Sequence, residues 1–177
     1  MAIKPTIYKF KIALSDLNRD HYVQLNLTVA QHPSETLERM MTRVLAYCLN
    51  AHEHLSFTKG LSSVDEPDIW LIGLDGQLNE WIDVGEPAFD RIKKATRLAK
   101  SVKVYSFNSK SDTWWQQNQK QFSSVKVSVF QFPWLAVQAM ASLVQRTTDM
   151  SVTISGDSAY IAAQAGEVDV LCRQLSV

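Results

Sequence analysis

Apolar and polar residues alternate through 6–14 and again through 22–29, where Val23, Leu25, Leu27 and Val29 share one face and Gln24, Asn26 and Thr28 the other. Period-two alternation of this length predicts half-buried strands, and the turn residues at 16–20 predict that the two pair antiparallel. After Pro33 the period changes. Leu37, Met40, Met41, Val44, Leu45 and Cys48 recur at helical spacing, with His32 or Ser34 near the cap. On that projection Glu38 sits at the edge of the apolar face and looks inward. Glu35 lies further out in the first turn, and Arg39 and Arg43 share the opposite, polar side. The stretch 57–66 reads as loop and 66–87 as a hairpin. A helix over 88–100 follows, with Phe89, Ile92, Ala95, Thr96 and Ala99 as its buried stripe, Lys93 flanking it and Lys94 pointing away. Then come a strand over 102–107, a helix over 111–121, a strand over 125–130 and a helix over 133–143. Short strands at 151–154 and 159–162 flank Ser155-Gly156-Asp157-Ser158, and a last strand covers 168–172. This order predicts an α/β (α+β) fold, one mixed β-sheet flanked by helices in a single domain over 1–177. Its strands at 102 and 125 follow helices, so they should run parallel and lie centrally.

The hairpin sets the register of its own side chains. With Asp75-Gly76 as a two-residue loop, Leu74 faces Gln77, Trp70 faces Trp81 and Asp68 faces Asp83. Directly opposed residues have Cβ atoms about 4.5–5.5 Å apart, and like charges there are destabilising. A divalent metal, a neighbouring Lys or Arg, or a shared proton would each compensate. Two acids at a solvated sheet end are the plainer alternative.

Charge narrows the picture. The chain carries 18 basic and 18 acidic residues, which argues against nucleic-acid binding by bulk charge alone. The distribution is uneven, however. Gly60 to Asp90 holds eight acids and no Lys or Arg, whereas Arg91 to Lys126 holds nine Lys or Arg and one acid, Asp112. An acidic pocket beside an anion-binding surface fits this switch, and so does an ordinary solvated face. Cys48 and Cys172 lie in apolar surroundings and read as reduced core residues of a cytoplasmic protein. His52 and His54 are two apart, the wrong spacing for one helical face, and offer no zinc pattern. No apolar run reaches the roughly 18 residues of a membrane span, and no signal-peptide pattern is present. Adjacent Trp114 and Trp115 cannot both face a core from one helix, which leaves one partly exposed.

A helix with a glutamate, a strand opening Pro67-Asp68, a hairpin and a second acid before a basic helix resemble the PD-(D/E)XK nuclease fold. More closely, the chain is similar to the YaeQ family of small bacterial proteins. The similarity rests on Pro33-Ser34-Glu35-Thr36, Glu38-Arg39-Met40-Met41, Glu66-Pro67-Asp68-Ile69-Trp70, Trp81-Ile82-Asp83-Val84-Gly85, Arg91-Ile92-Lys93-Lys94-Ala95, Asn108-Ser109 and Trp114-Trp115-Gln116-Gln117-Asn118-Gln119. The resemblance implies a restriction-endonuclease-like core in which Asp68 and Asp83, with Glu38 from the helix, hold Mg²⁺ for phosphodiester cleavage. It also implies a lysine two residues after Asp83, where this chain has Gly85. Lys93 on the next helix is the candidate for a relocated lysine, ahead of Lys94 and Arg91; Glu80 and Glu86 are further acids, Glu80 on the other side of its strand from Asp83. The expected partner of the stretch Arg91 to Lys126 is DNA or RNA. The alternative is a non-catalytic nucleic-acid-binding or protein-interaction module that keeps the nuclease fold.

Overall fold

The structure is a computed structural model that describes residues 4–59 and 63–176. In chain order its elements are β1 (Thr6–Asp16), β2 (His21–Gln31), α1 (Leu37–Leu49), β3 (Leu55–Phe57), β4 (Ile69–Ile72), β5 (Leu78–Val84), α2 (Phe89–Leu98), β6 (Ser101–Ser106), α3 (Ser111–Phe122), β7 (Ser128–Gln131), α4 (Trp134–Ala141), β8 (Thr147–Ser155), β9 (Ser158–Ala163), β10 (Gly166–Leu171) and β11 (Arg173–Gln174). They form an α+β fold with two mixed sheets, where the periodicity predicts one. Alternation defines which face of a strand is buried, but not which strands pair across long stretches of sequence. The chain falls into two compact units, one built from Met1–Leu49 and Pro133–Cys172, the other from Asn50–Phe132 and Arg173–Val177.

The first unit holds a five-stranded sheet in the order β10-β9-β8-β1-β2. β1 and β2 pair antiparallel as the alternation predicts, and β8 returns parallel to β1. Phe10, Ile12, Leu14, Val29, Val152 and Ile161 are buried from this sheet, while the alternating positions Lys9, Lys11, Gln24 and Asn26 are exposed. α1 lies against α4, and α4 against β10. Cys48 is buried, which pushes its thiol up to about 12; Cys172 is half-buried, and both cysteines are free.

α1 departs from its predicted projection. It begins at Leu37 rather than near Pro33, and the Thr36 hydroxyl accepts the Arg39 N–H at 3.1 Å as its cap. Glu35 therefore precedes the helix, and its carboxylate folds inward to 5% exposure. Arg43 is not on a polar side: it is 4% exposed. It donates to both Glu35 oxygens, from Nε at 2.9 Å and from Nη2 at 2.6 Å, and also to the Ala30 carbonyl at 3.0 Å. Arg39 completes the set with a 2.6 Å bond to Glu35 Oε2. Glu38, expected to look inward, is half-buried.

The second unit holds a six-stranded sheet in the order β11-β7-β6-β5-β4-β3. β5, β6 and β7 run parallel at its centre, as predicted for strands that follow helices. α2 and α3 share one face of this sheet, where Trp81, Ile92, Ala95, Val102, Val104, Phe122 and Val129 form a single core cluster. β3 and β11 span three and two residues, too few for any periodicity to reveal. The hairpin turn is longer than the two-residue loop. A bulge between Leu71 and Ile72 sets Ile72 opposite Leu78. The Gly73 N–H then meets the Gln77 carbonyl, and the Gly76 N–H meets the Gly73 carbonyl, each at 2.9 Å. Leu74 is thus at the exposed tip and does not face Gln77. The extra residue is absorbed at the turn end, so the far end of the hairpin keeps its predicted register.

The Glu35–Arg43 pair yields a test of this corrected helix. Glu35→Gln leaves Arg43 buried beside a neutral amide and should cost about 3–5 kcal/mol, the range for breaking a buried ion pair. Glu38→Gln should cost less than about 1 kcal/mol. Urea denaturation of both variants checks the ranking; equal costs would contradict it.

Candidate functional site

β4 and β5 bring Asp68 and Asp83 together. Ile69 faces Ile82, Trp70 faces Trp81, and the Asp68 N–H donates to the Ile82 carbonyl at 3.1 Å. Asp68 lies just before this ladder, close enough to Asp83 for its charge to act on the Asp83 carboxyl. Both are buried, at 5% and 2% exposure. Each has a local reason to be there. β4 begins after Pro67, which has no N–H for the ladder. The Asp68 Oδ2 takes over at the end of the strand pair and accepts the Val84 N–H at 2.8 Å. The Thr58 hydroxyl donates to the Pro67 carbonyl, and the Thr58 N–H to the Asp68 carbonyl at 3.1 Å, which fixes the same corner from the other side.

The charge that compensates Asp83 belongs to Arg91, in the first turn of α2. Its Nε donates to Asp83 Oδ2 at 2.8 Å and its Nη2 to Oδ1 at 3.1 Å, a two-pronged grip suited to a planar guanidinium. Trp81 Nε1 adds a third bond to Oδ2 at 3.1 Å. The guanidinium carbon lies 5.5 Å from the centre of the Trp81 ring, within cation–π range. Arg91 also donates to the carbonyls of Val64 and Glu66, both at 2.8 Å. One side chain thereby ties α2, β5 and the segment before β4 together. A hollow of about 300 Å³ opens beside it, lined by Val64, Asp65, Trp81, Arg91, Lys94 and Leu98. Burial raises the Asp83 pKa above its ordinary value; Arg91 and Trp81 pull it down and Asp68 adds to the rise, and burial prevails.

Mg²⁺ does not fit this donor set as arranged. Both Asp83 oxygens face a guanidinium, and Asp68 Oδ2 is taken by Val84. Among the described residues no group of three or more His, Cys, Asp and Glu side chains is placed to hold a metal ion. A divalent cation would have to displace Arg91 from a bidentate pair. Glu38 belongs to α1 in the first unit. Lys93 is exposed and forms no ion pair among the described residues, while Lys94 reaches the exposed Asp65 at 3.6 Å. Gly85 has φ +112°, a conformation that L side chains rarely adopt, although open space surrounds the position of its missing Cβ. Backbone geometry, rather than crowding, disfavours a lysine at that position.

The opposite face of β5 and β6 carries a polar chain that periodicity alone does not assemble. Lys103 Nζ lies 3.0 Å from Glu80 Oε1 and donates to Asn50 Oδ1 at 2.6 Å; Asn50 Nδ2 donates to the Tyr105 hydroxyl at 2.9 Å. Alternation of Lys103 with Val102 and Val104 is its only trace in the sequence. On the helix side, Lys93, Lys94, Arg97 and Lys100 are exposed on α2 or just beyond it, and Lys120 is exposed on α3. Trp114 and Trp115 are both half-buried, with ring centroids 5.4 and 5.9 Å from that of Phe122. No described helix is long and apolar enough to cross a membrane.

Comparison with known proteins gives a consistent family. The family profile described as YaeQ protein matches residues 1–172. The uncharacterised protein YaeQ of Escherichia coli (strain K12) is 38% identical over 174 residues, 96% of this chain and 95% of that protein. Among solved structures, YaeQ protein from Xanthomonas axonopodis pv. citri superposes with a TM-score of 0.94 at 32% identity, covering 98% of this chain and 99% of its own. YaeQ protein from Pseudomonas syringae gives 0.93 at 33%, covering 98% and 97%.

The Asp83 environment predicts a pH dependence. Because the folded pKa is raised, the folded protein holds the Asp83 proton where the unfolded chain has released it. Asp83 therefore lowers stability as pH rises from its ordinary 3.8 through the raised value. Asp83→Asn removes that titration. Urea denaturation across this window should show the variant gaining on the wild type as pH rises. A difference that stays constant, or reverses, would contradict the assignment.

Proposed function

The chain belongs to the YaeQ family, and from the geometry of its second unit we propose that it is a non-catalytic nucleic-acid-binding module retaining a PD-(D/E)XK-like core. The observation that carries this reading is the Arg91–Asp83 grip: the acid that a nuclease would offer to metal is held instead by a guanidinium. The exposed cations of the α2–α3 layer supply the complementary half. Lys93, Lys94, Arg97, Lys100 and Lys120 project from elements packed on one sheet face. Of these, Lys94 alone has an acidic partner among the described residues, and that pair is fully at the surface. Such a layer suits phosphate contacts, which need accessible cations rather than a net positive chain.

A second reading, Mg²⁺-dependent phosphodiester cleavage with Asp68 and Asp83 as ligands, Glu38 as a third acid and Lys93 as the positive charge, is favoured by the closeness of the two buried aspartates. It requires Arg91 to release Asp83.

Fluorescence anisotropy with labelled DNA and RNA tests the first reading. Affinity should fall linearly in log–log form as salt rises, because bound phosphates release counterions. The double variant Lys93→Glu, Arg97→Glu should weaken binding to all sequences alike and flatten that slope by about two contacts. Absence of binding at low salt, or binding indifferent to salt, would reject it in favour of a protein-interaction role. Release of cleaved product that depends on Mg²⁺ would favour the second reading.

A further inference from the structure

At the far end of α3 the second unit has a hollow of about 480 Å³ with an apolar floor and polar Gln119, Ser123 and Ser176 among its lining. Phe122, 2% exposed, is buried against it. Trp115, Val125, Val127 and Leu175 line it, and each is half-buried. An apolar group of this kind is ordinarily closed over by a core; here it stays accessible on a small domain surface. The Trp115 ring is tilted 44° to Phe122, and its indole N–H has no partner among the described residues. Lys120 lies on the lining, and Lys126 is exposed in the short connection between α3 and β7. Among the described residues, no carboxylate side chain lines the hollow.

We propose that this hollow takes one unstacked base of a single-stranded nucleic acid against Trp115, with Lys120 and Lys126 on the flanking phosphates. This rests on the binding role argued above and narrows it to a substrate class. Three features favour that occupant. The volume falls within the 300–1,000 Å³ typical of small-molecule sites and exceeds a single base, which leaves room for its sugar. A half-buried aromatic ring lining an open hollow suits the stacking that single-stranded binders use, and such stacking tolerates any base because each has a π-face. Lys120 on the lining and Lys126 in the connection that follows are cations, which suits a backbone that runs past the hollow rather than into it. A duplex cannot use this arrangement, since its bases are already stacked and paired. The free Trp115 N–H and the nearby Gln119 amide then provide donors toward the sugar or base edge.

The experiment is an anisotropy titration of the full chain with a labelled oligonucleotide of about 20 nucleotides, as a single strand and as its duplex. The length is set by the few to 16 nucleotides that one such module covers. The wild type should prefer the single strand. Trp115→Ala should lose about 10-fold or more in single-strand affinity, the scale of one aromatic stack, while its duplex affinity stays unchanged and so reports an intact fold. Trp115→Phe should keep most of the single-strand affinity, because the stacking face remains. Equal wild-type affinity for both forms, or a Trp115→Ala variant that binds single strands normally, overturns the base-pocket proposal and leaves the charged surface standing. Failure of the wild type to bind either form at low salt overturns both.

Discussion

Asp83 is an acid at 2% exposure beside a second buried acid, and Arg91 is the cation that meets it. Leaving a carboxylate in that position without a partner costs several kcal/mol, more than most single contacts in a domain contribute. The grip does more than neutralise. Because the same guanidinium holds the Val64 and Glu66 carbonyls, the loop leading into β4, the second strand of the hairpin and the start of α2 are positioned by one side chain. Arginine suits this task in a way that lysine does not, since its fork satisfies a planar carboxylate while further donors remain for backbone oxygens. The net free energy of the pair is moderated by the partial exposure of Arg91, 31% of its side chain, so its main consequence is positional.

That constraint also bears on the chemistry open to the site. Two neighbouring buried aspartates call for a positive charge, and a metal, a basic side chain or a proton can each supply one. A resident arginine turns a metal-ligand geometry into a structural corner. Gly85 agrees with this from the backbone side: at φ +112° and with its N–H bonded to the Tyr105 carbonyl at 2.8 Å, it ends β5 in a conformation disfavouring the lysine expected there. The basic residues that follow are exposed on α2 and α3, packed on one face of the sheet.

Much of this was legible in the sequence, and the reasons differ by element. The β1–β2 pair, the central parallel strands and all four helices followed from periodicity, because each has a buried face long enough to leave a regular pattern. The pairing of Ile69 with Ile82 and of Trp70 with Trp81 followed from a turn signal even though the turn is longer than two residues, since the difference was absorbed by the bulge between Leu71 and Ile72. What escaped was non-local. Two sheets rather than one, the three-residue β3 and the two-residue β11 depend on which distant strands meet. Arg91 escaped as the partner of Asp83 because a first-turn arginine on a basic helix looks like its neighbours Lys93 and Lys94. Only the exit direction of its side chain distinguishes it. Glu35 was misplaced because a helical projection was extended past the true start of α1, and Arg43 because α1 is buried all round from Met40 to Cys48 and has no polar side there. Lys103 shows the same limit: its alternation was visible, but its partners Glu80 and Asn50 were brought to it by the sheet.

The most direct measurement of the central claim is calorimetric titration of Mg²⁺ into the wild type and into Asp68→Ala. With Arg91 holding Asp83, the wild type should show no saturable uptake beyond that of the variant. Stoichiometric binding in the wild type that disappears in Asp68→Ala would contradict the account, because it would mean that the aspartate pair exchanges its arginine for metal.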